Sequence, residues 1–157
     1  MSDLFVVHEM VILPHMVASS WEDAIDQLGM RMSYAGFTDS SYTGCVIERE
    51  REFPTALQLD STAVALPHGA PEHVWVPSMA IGRCERPVAF RSLNDPAKTI
   101  DVQLVVLLAM DDPESHLGVL GRLTQALTDS AFCEGVLAMD TSREIASAFR
   151  TALELDR

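Results

Sequence analysis

The segment Ile100–Met110, nearly continuous in valine and leucine, constrains the fold more than any other stretch of the chain. A run of that kind suits a strand covered on both faces, so further layers must lie above and below it. Its uninterrupted part, Leu104–Met110, is strand-sized and far short of the roughly 20 apolar residues that span a bilayer. Ala63–Leu66, Ser78–Cys84 and Val88–Phe90 also read as strands, the last two close enough to form a hairpin. Four helices surround them. Ser20 caps a stripe of Trp21, Ala24, Ile25, Leu28, Met32 and Ala35 that stops at Gly36. A second helix, capped by Asp39, carries Tyr42, Val46 and Arg49 on one face and must end before Pro54. A third runs from Pro113 to Leu127 with Leu117, Leu120, Leu123 and Leu127 aligned, and the last, capped by Ser142, aligns Ile145, Phe149, Ala152 and Leu153. Helices before, between and after buried strands predict an α/β fold, a mixed, mostly parallel sheet flanked by helices on both faces. At 157 residues the chain is expected to be a single domain spanning 1–157.

Charge narrows the partners. The net charge is −12, and Lys98 is the single lysine among 11 basic residues, so no patch can track a phosphate backbone and nucleic acid is excluded as a partner. The same deficit removes polybasic attachment to a membrane, and direct membrane insertion is not expected. The start, MSDLFVVHEM, lacks the pattern of an export leader, and Cys45, Cys84 and Cys133 are odd in number with no CxxC. Reduced thiols and a cytoplasmic location are the expectation.

No cofactor or metal is expected. Lys98 lies in DPAKT without glycines, which rules out a Walker-type phosphate loop, and GxGxxG and HExxH are both missing. The informative segment is Asp60–Ala70, DSTAVALPHGA, where a short apolar strand runs into Pro-His-Gly. His68 would then sit just beyond the carboxyl end of a buried strand, where α/β sheets place reacting groups. Pro67 limits the backbone on the entering side, while Gly69 lets an anion or a partner backbone approach the imidazole. Taken alone, these residues fit better a turn histidine whose proline and glycine punctuate the end of a strand. Arg49 and Arg51, in ERERE ahead of Phe53-Pro54-Thr55, suit an anion if they face the histidine, and a solvated helix end if they do not. His116 opens the Leu117–Leu127 helix, where N–H groups and the helix dipole favour negative charge. If the two strands are neighbours, His68, Arg49 and His116 form a phosphoryl-binding triangle.

The text RERE-F-PTALQLDSTAVALPHG, followed by Pro87-Val-Ala-Phe, the strand Val102–Ala109 and Ser115-His-Leu-Gly-Val-Leu-Gly-Arg-Leu, resembles the enzyme IIA components of the bacterial phosphoenolpyruvate-dependent sugar phosphotransferase system, mannitol/fructose class (type 2). Its wording is most similar to the galactitol-type freestanding branch. The resemblance implies the family's α/β sandwich, with His68 as the covalent phosphoryl carrier. It also implies that His68 takes the group from the histidine phosphocarrier protein (HPr) and passes it to a cysteine of a cognate IIB protein for sugar or sugar-alcohol uptake. Arg49 matches the family's arginine, with Arg51 the near alternative, and His116 matches a second, positioning histidine of the mannitol-type proteins. A regulatory IIA paralogue that signals its phosphorylation state is the alternative function. Trp75, Val76, Pro77 and Met79 are candidates for an apolar docking patch.

Overall fold

The computed structural model describes residues 4–155; the first three residues of the segment read for a leader lie outside them. Five strands form one sheet: β1 (Ile12–Met16), β2 (Leu57–Gln58), β3 (Ala63–Ala65), β4 (Ser78–Arg91) and β5 (Thr99–Ala109), in the order β1-β4-β5-β3-β2. The sheet is mixed as expected. Its pairings divide evenly, with β1–β4 and β3–β5 parallel and β4–β5 and β2–β3 antiparallel. The apolar run is the central strand β5, and Val102 and every residue from Leu104 to Met110 are buried.

Side chains alternate across the sheet, which divides the core in two. Val64, Leu104, Val106 and Leu108 meet the face covered by α3 (Leu117–Leu127), α4 (Ser130–Leu137) and α5 (Ser142–Ala152). Ala65, Val105, Leu107 and Ala109 meet the face covered by α1 (Trp21–Tyr34) and α2 (Tyr42–Glu52).

Local chemistry sets the helix ends. The Ser20 hydroxyl accepts from the Asp23 N–H at the start of α1, and Gly36 takes a φ of 81° just past its end, a conformation glycine adopts without a Cβ clash. The α2 helix begins at Tyr42 with Ser41 as its cap; Asp39 instead accepts from the Ser41 N–H in a turn before the helix. The cap of α5 is Thr141 rather than Ser142, in a reciprocal capping box with Glu144. Pro113–His116 forms a 3-10 turn ahead of α3, and Leu117 is exposed, while Val119 takes a buried place on that helix.

The expected hairpin between Ser78 and Phe90 is one continuous strand. Both halves of β4 pair with β5, through a register irregularity between Arg83 and Val88 that absorbs the polar residues Glu85 and Arg86. Two strands and one helix went unmarked by periodicity: β1, interrupted by Pro14 and His15, the two-residue β2, and α4.

Candidate functional site

Because β3 and β5 are parallel neighbours, paired through Val64–Leu104 and Ala65–Val105, their carboxyl ends open on the same edge of the sheet. The chain leaving β3 stays against β5 for three more residues: the Leu108 N–H donates to the Pro67 carbonyl at 2.9 Å, and His68 bridges Leu108. A cavity of about 460 Å³ lies beside this edge. Its lining includes His68 and Gly69 from the turn, Arg49 from α2, Leu108 from β5, Met110 just beyond that strand, and Leu120 from α3.

The His68 ring is held in one orientation. Its Nδ1 lies 3.1 Å from the Leu66 carbonyl oxygen, which can only accept, so Nδ1 carries the proton. Nε2 has no hydrogen-bond partner among the described residues and is the basic nitrogen of that tautomer. The residue is half-buried, so one edge of the ring remains open to an incoming group.

The turn is fastened from both sides by α2 and the loop after it. Glu50, 3% exposed, accepts from the Thr55 N–H at 2.9 Å and the Thr55 hydroxyl at 3.0 Å; Thr55 Oγ1 in turn accepts from the Leu66 N–H at 2.9 Å. Burial pushes the Glu50 carboxyl above its ordinary range, against the opposing pull of the Thr55 donors. On the other side the Tyr42 hydroxyl accepts from the Gly69 N–H at 3.0 Å, and Cys45 Sγ accepts from the Ala70 N–H at 3.2 Å. Gly69 is required for a different reason than access to the imidazole. A Cβ there would lie 3.0 Å from Val46 Cγ2, 3.1 Å from Tyr42 Cε1 and 3.2 Å from Cys45 Sγ, so its bare face is turned to α2.

Tyr42, Val46 and Arg49 share one face of α2, as the spacing predicts, and this separates the two arginines. Arg49 reaches the cavity, with its guanidinium carbon 5.3 Å from the centre of the exposed Phe53 ring. Arg51 turns toward α1 instead, lying 5.7 Å from the Trp21 ring and 3.8 Å from Glu22, and its carbonyl accepts from Arg91.

His116 is not among the residues lining the cavity. Its ring is 3% exposed, edge-on to Phe5 at 5.7 Å, with Nε2 3.2 Å from Asp111 Oδ1 and Nδ1 buried without a partner among the described residues. Of the expected docking patch only Trp75 is well exposed, at 64%; Pro77 and Met79 are buried, because Met79 already belongs to β4 and points into the core. Sequence reasoning missed Tyr42, Thr55 and Glu50 as parts of the site. Their signal was present only as a helix face and as a threonine after a proline.

Among the described residues no group of three or more His, Cys, Asp and Glu side chains could hold a metal ion, and no helix is long and apolar enough to cross a membrane. The cavity is lined by one guanidinium and one imidazole, Arg49 and His68, side chains of the kinds that can bind an anion and act as a nucleophile.

Residues 5–151 match the family model described as phosphoenolpyruvate-dependent sugar phosphotransferase system, EIIA 2. The galactitol-specific EIIA component of the phosphotransferase system from Escherichia coli (strain K12) is 28% identical over 107 residues, 66% of this chain and 71% of that one. Among solved structures, IIA mannitol from Escherichia coli matches with a TM-score of 0.73 and 25% identity, covering 92% of this chain and 99% of that chain. The complex of the Escherichia coli mannitol enzyme IIA with phosphorylated enzyme IIB matches with a TM-score of 0.74 and 24% identity, covering 94% and 99%. With the fold shared and nearly the whole length matched, this chain belongs to the EIIA type 2 family of the phosphoenolpyruvate-dependent sugar phosphotransferase system and is a phosphotransferase component of it.

Proposed function

We propose that His68 is the phosphoryl carrier and that the chain relays the group from the histidine phosphocarrier protein to a IIB protein, for uptake of a sugar or sugar alcohol. The observation that carries this reading is the Nδ1–Leu66 hydrogen bond, which leaves Nε2 as the nucleophile in a cavity shared with Arg49. Nε2 attacks the phosphorus of the donor's phosphohistidine. The Nε2–P bond forms as the donor's N–P bond breaks, and the donor imidazole leaves with its ring electrons restored. During transfer the His68 ring becomes cationic while keeping its Nδ1 proton, and the Leu66 carbonyl faces that charge. Arg49 steadies the equatorial oxygens of the transferring group through its planar fork of donors. In the second half a cysteine thiolate of the IIB protein attacks the same phosphorus, the Nε2–P bond breaks, and the neutral His68 tautomer returns. The Escherichia coli mannitol relative, solved with phosphorylated IIB, supports a IIB protein as acceptor.

His116 enters as a positioning group rather than a nucleophile. Its ring, held by Asp111 against Phe5, fastens the turn that opens α3, and Leu120 of that helix forms one wall of the cavity. The relay and the folded unit are both read as properties of one domain over residues 1–157 working in the cytoplasm.

Incubation with phosphoenolpyruvate, enzyme I and the phosphocarrier protein tests the reading. One acid-labile, alkali-stable phosphoryl group is expected on His68 by intact-mass and peptide analysis. Undiminished labelling of His68→Ala would refute it.

A further inference from the structure

The parallel ladder between β3 and β5 ends in an irregular way at His68. In a regular parallel pairing the Leu108 N–H donates to the Pro67 carbonyl and the Gly69 N–H donates back to the Leu108 carbonyl, one bond on each side of the bridged residue. The first bond is present at 2.9 Å. In place of the second, the Tyr42 hydroxyl stands between the two groups, accepting from the Gly69 N–H at 3.0 Å and donating to the Leu108 carbonyl at 2.5 Å. Tyr42 is the first residue of α2 and has no exposed surface.

From this arrangement we infer that Tyr42 is a positioning residue for phosphoryl transfer, a hydroxyl spacer that holds the end of β3 apart from β5 and so sets the place of His68 in its cavity. The inference rests on His68 being the phosphoryl carrier. Three features make the spacer act on the imidazole rather than on the core at large. The groups it bridges belong to Gly69, the residue after His68, and Leu108, the residue His68 pairs with, and both line the cavity. On the far side of the ring, Leu66 is held by Thr55, so displacement of Gly69 twists the short segment between two fixed points. The hydroxyl also keeps its donor role: burial raises the Tyr42 phenol to about 12, so it stays protonated throughout the range in which transfer operates.

Removing the hydroxyl alone leaves two outcomes for the backbone, and both move His68. Either the Gly69 N–H and Leu108 carbonyl close on each other and pull the turn toward β5, or they remain apart as unpaired buried groups and the turn loosens. Tyr42 has no surface for a partner to touch, so its effect belongs in the transfer step and not in docking.

Tyr42→Phe keeps the ring and tests the spacer. Single-turnover transfer from phosphorylated phosphocarrier protein should slow by about 10- to 100-fold, with the half-saturating carrier concentration unchanged. Nitrogen-15 shifts of the unphosphorylated variant should show His68 losing its single Nδ1–H tautomer. A rate within about twofold of wild type with unaltered His68 shifts would overturn the inference. Should the variant not fold, the wild-type protein carries the test: a slowly exchanging Tyr42 hydroxyl proton with a cross-peak to the Gly69 amide is expected, and its absence overturns the spacer. Failure of the wild type to label on His68 would instead count against the carrier reading, and the ring-nitrogen and hydroxyl signals report on Tyr42 without any phosphorylation.

Discussion

Arg49 and Arg51 differ by two positions on one helix and by nearly opposite directions in space. Arg49 is the cationic side chain that lines the His68 cavity, whereas Arg51 is engaged with Trp21 and Glu22 on α1. A charge-assisted contact to a phosphoryl oxygen is worth roughly 1.5–3 kcal/mol, so Arg49→Ala should slow single-turnover transfer by about 10- to 150-fold. The fold should survive, since the side chain is exposed. Arg51→Ala gives up an exposed ion pair and a ring contact and should change the rate by less than about threefold. A reversal of that order in measured rates would make Arg51 the phosphate ligand. The distinction was partly legible beforehand, because Tyr42, Val46 and Arg49 fall on one helical face while Arg51 does not. What periodicity could not reveal is the depth of that face. Tyr42 reads as an ordinary core aromatic until the chain leaving β3 is seen to pass within reach of its hydroxyl.

Between elements, the join of α2 to β3 runs through a buried carboxyl. Glu50 accepts both donors of Thr55, and Thr55 accepts from Leu66, so a helix end, a loop and a strand end are tied in one line of hydrogen bonds. Burial holds the Glu50 carboxyl above its ordinary range, so the folded protein binds this proton more readily than the unfolded chain does. Its contribution to stability is therefore fully present below the unfolded value and is lost as pH rises through the folded one. Urea unfolding of wild type and Glu50→Gln from about pH 4 to about pH 7 checks the sign: wild type should lose stability relative to the variant across that span. A relative gain would mean that the Thr55 donors outweigh burial. Elements with strong local signals were legible, such as α1 with its Ser20 cap and Gly36 stop, and β5 with its unbroken apolar run. The long β4 was not, because Glu85 and Arg86 resemble a hairpin turn, and only pairing of both flanks with β5 converts that interruption into a bulge. In β1, Pro14 and His15 mask a strand that is secured by β4 and not by its own pattern. His116 was legible as a helix-start histidine, but the burial that sets its ring edge-on to Phe5 depends on a residue far away in sequence.

Across the whole molecule, the two apolar layers on either side of the sheet work against a net charge of −12. Such an imbalance favours expansion, because mutual repulsion of the carboxylates is relieved when the chain unfolds. The ion pairs that oppose it are weak. Arg51–Glu22 at 3.8 Å, Arg83–Glu85 at 3.6 Å and Lys98–Asp95 at 4.0 Å are all partly or well exposed, and pairs of that kind each add about 0–1 kcal/mol. Salt screens both the few attractions and the many repulsions, with a Debye length falling from about 30 Å at 0.01 M to about 10 Å at 0.1 M. With 23 acidic residues set against 11 basic ones, repulsive pairs outnumber attractive ones at that range, so screening should help the folded state on balance. Raising sodium chloride from about 10 mM to about 300 mM at neutral pH should therefore increase the thermal midpoint, with most of the gain below about 100 mM, where the Debye length contracts fastest. Calorimetry of the unphosphorylated protein reads this directly. A midpoint that falls with salt would mean that the ion pairs, and not the charge imbalance, dominate the electrostatics of the fold. On the proposed relay, phosphorylation of His68 would add further negative charge to an already acidic protein, so the same salt series on the phosphorylated protein should show a steeper rise than on the unphosphorylated one.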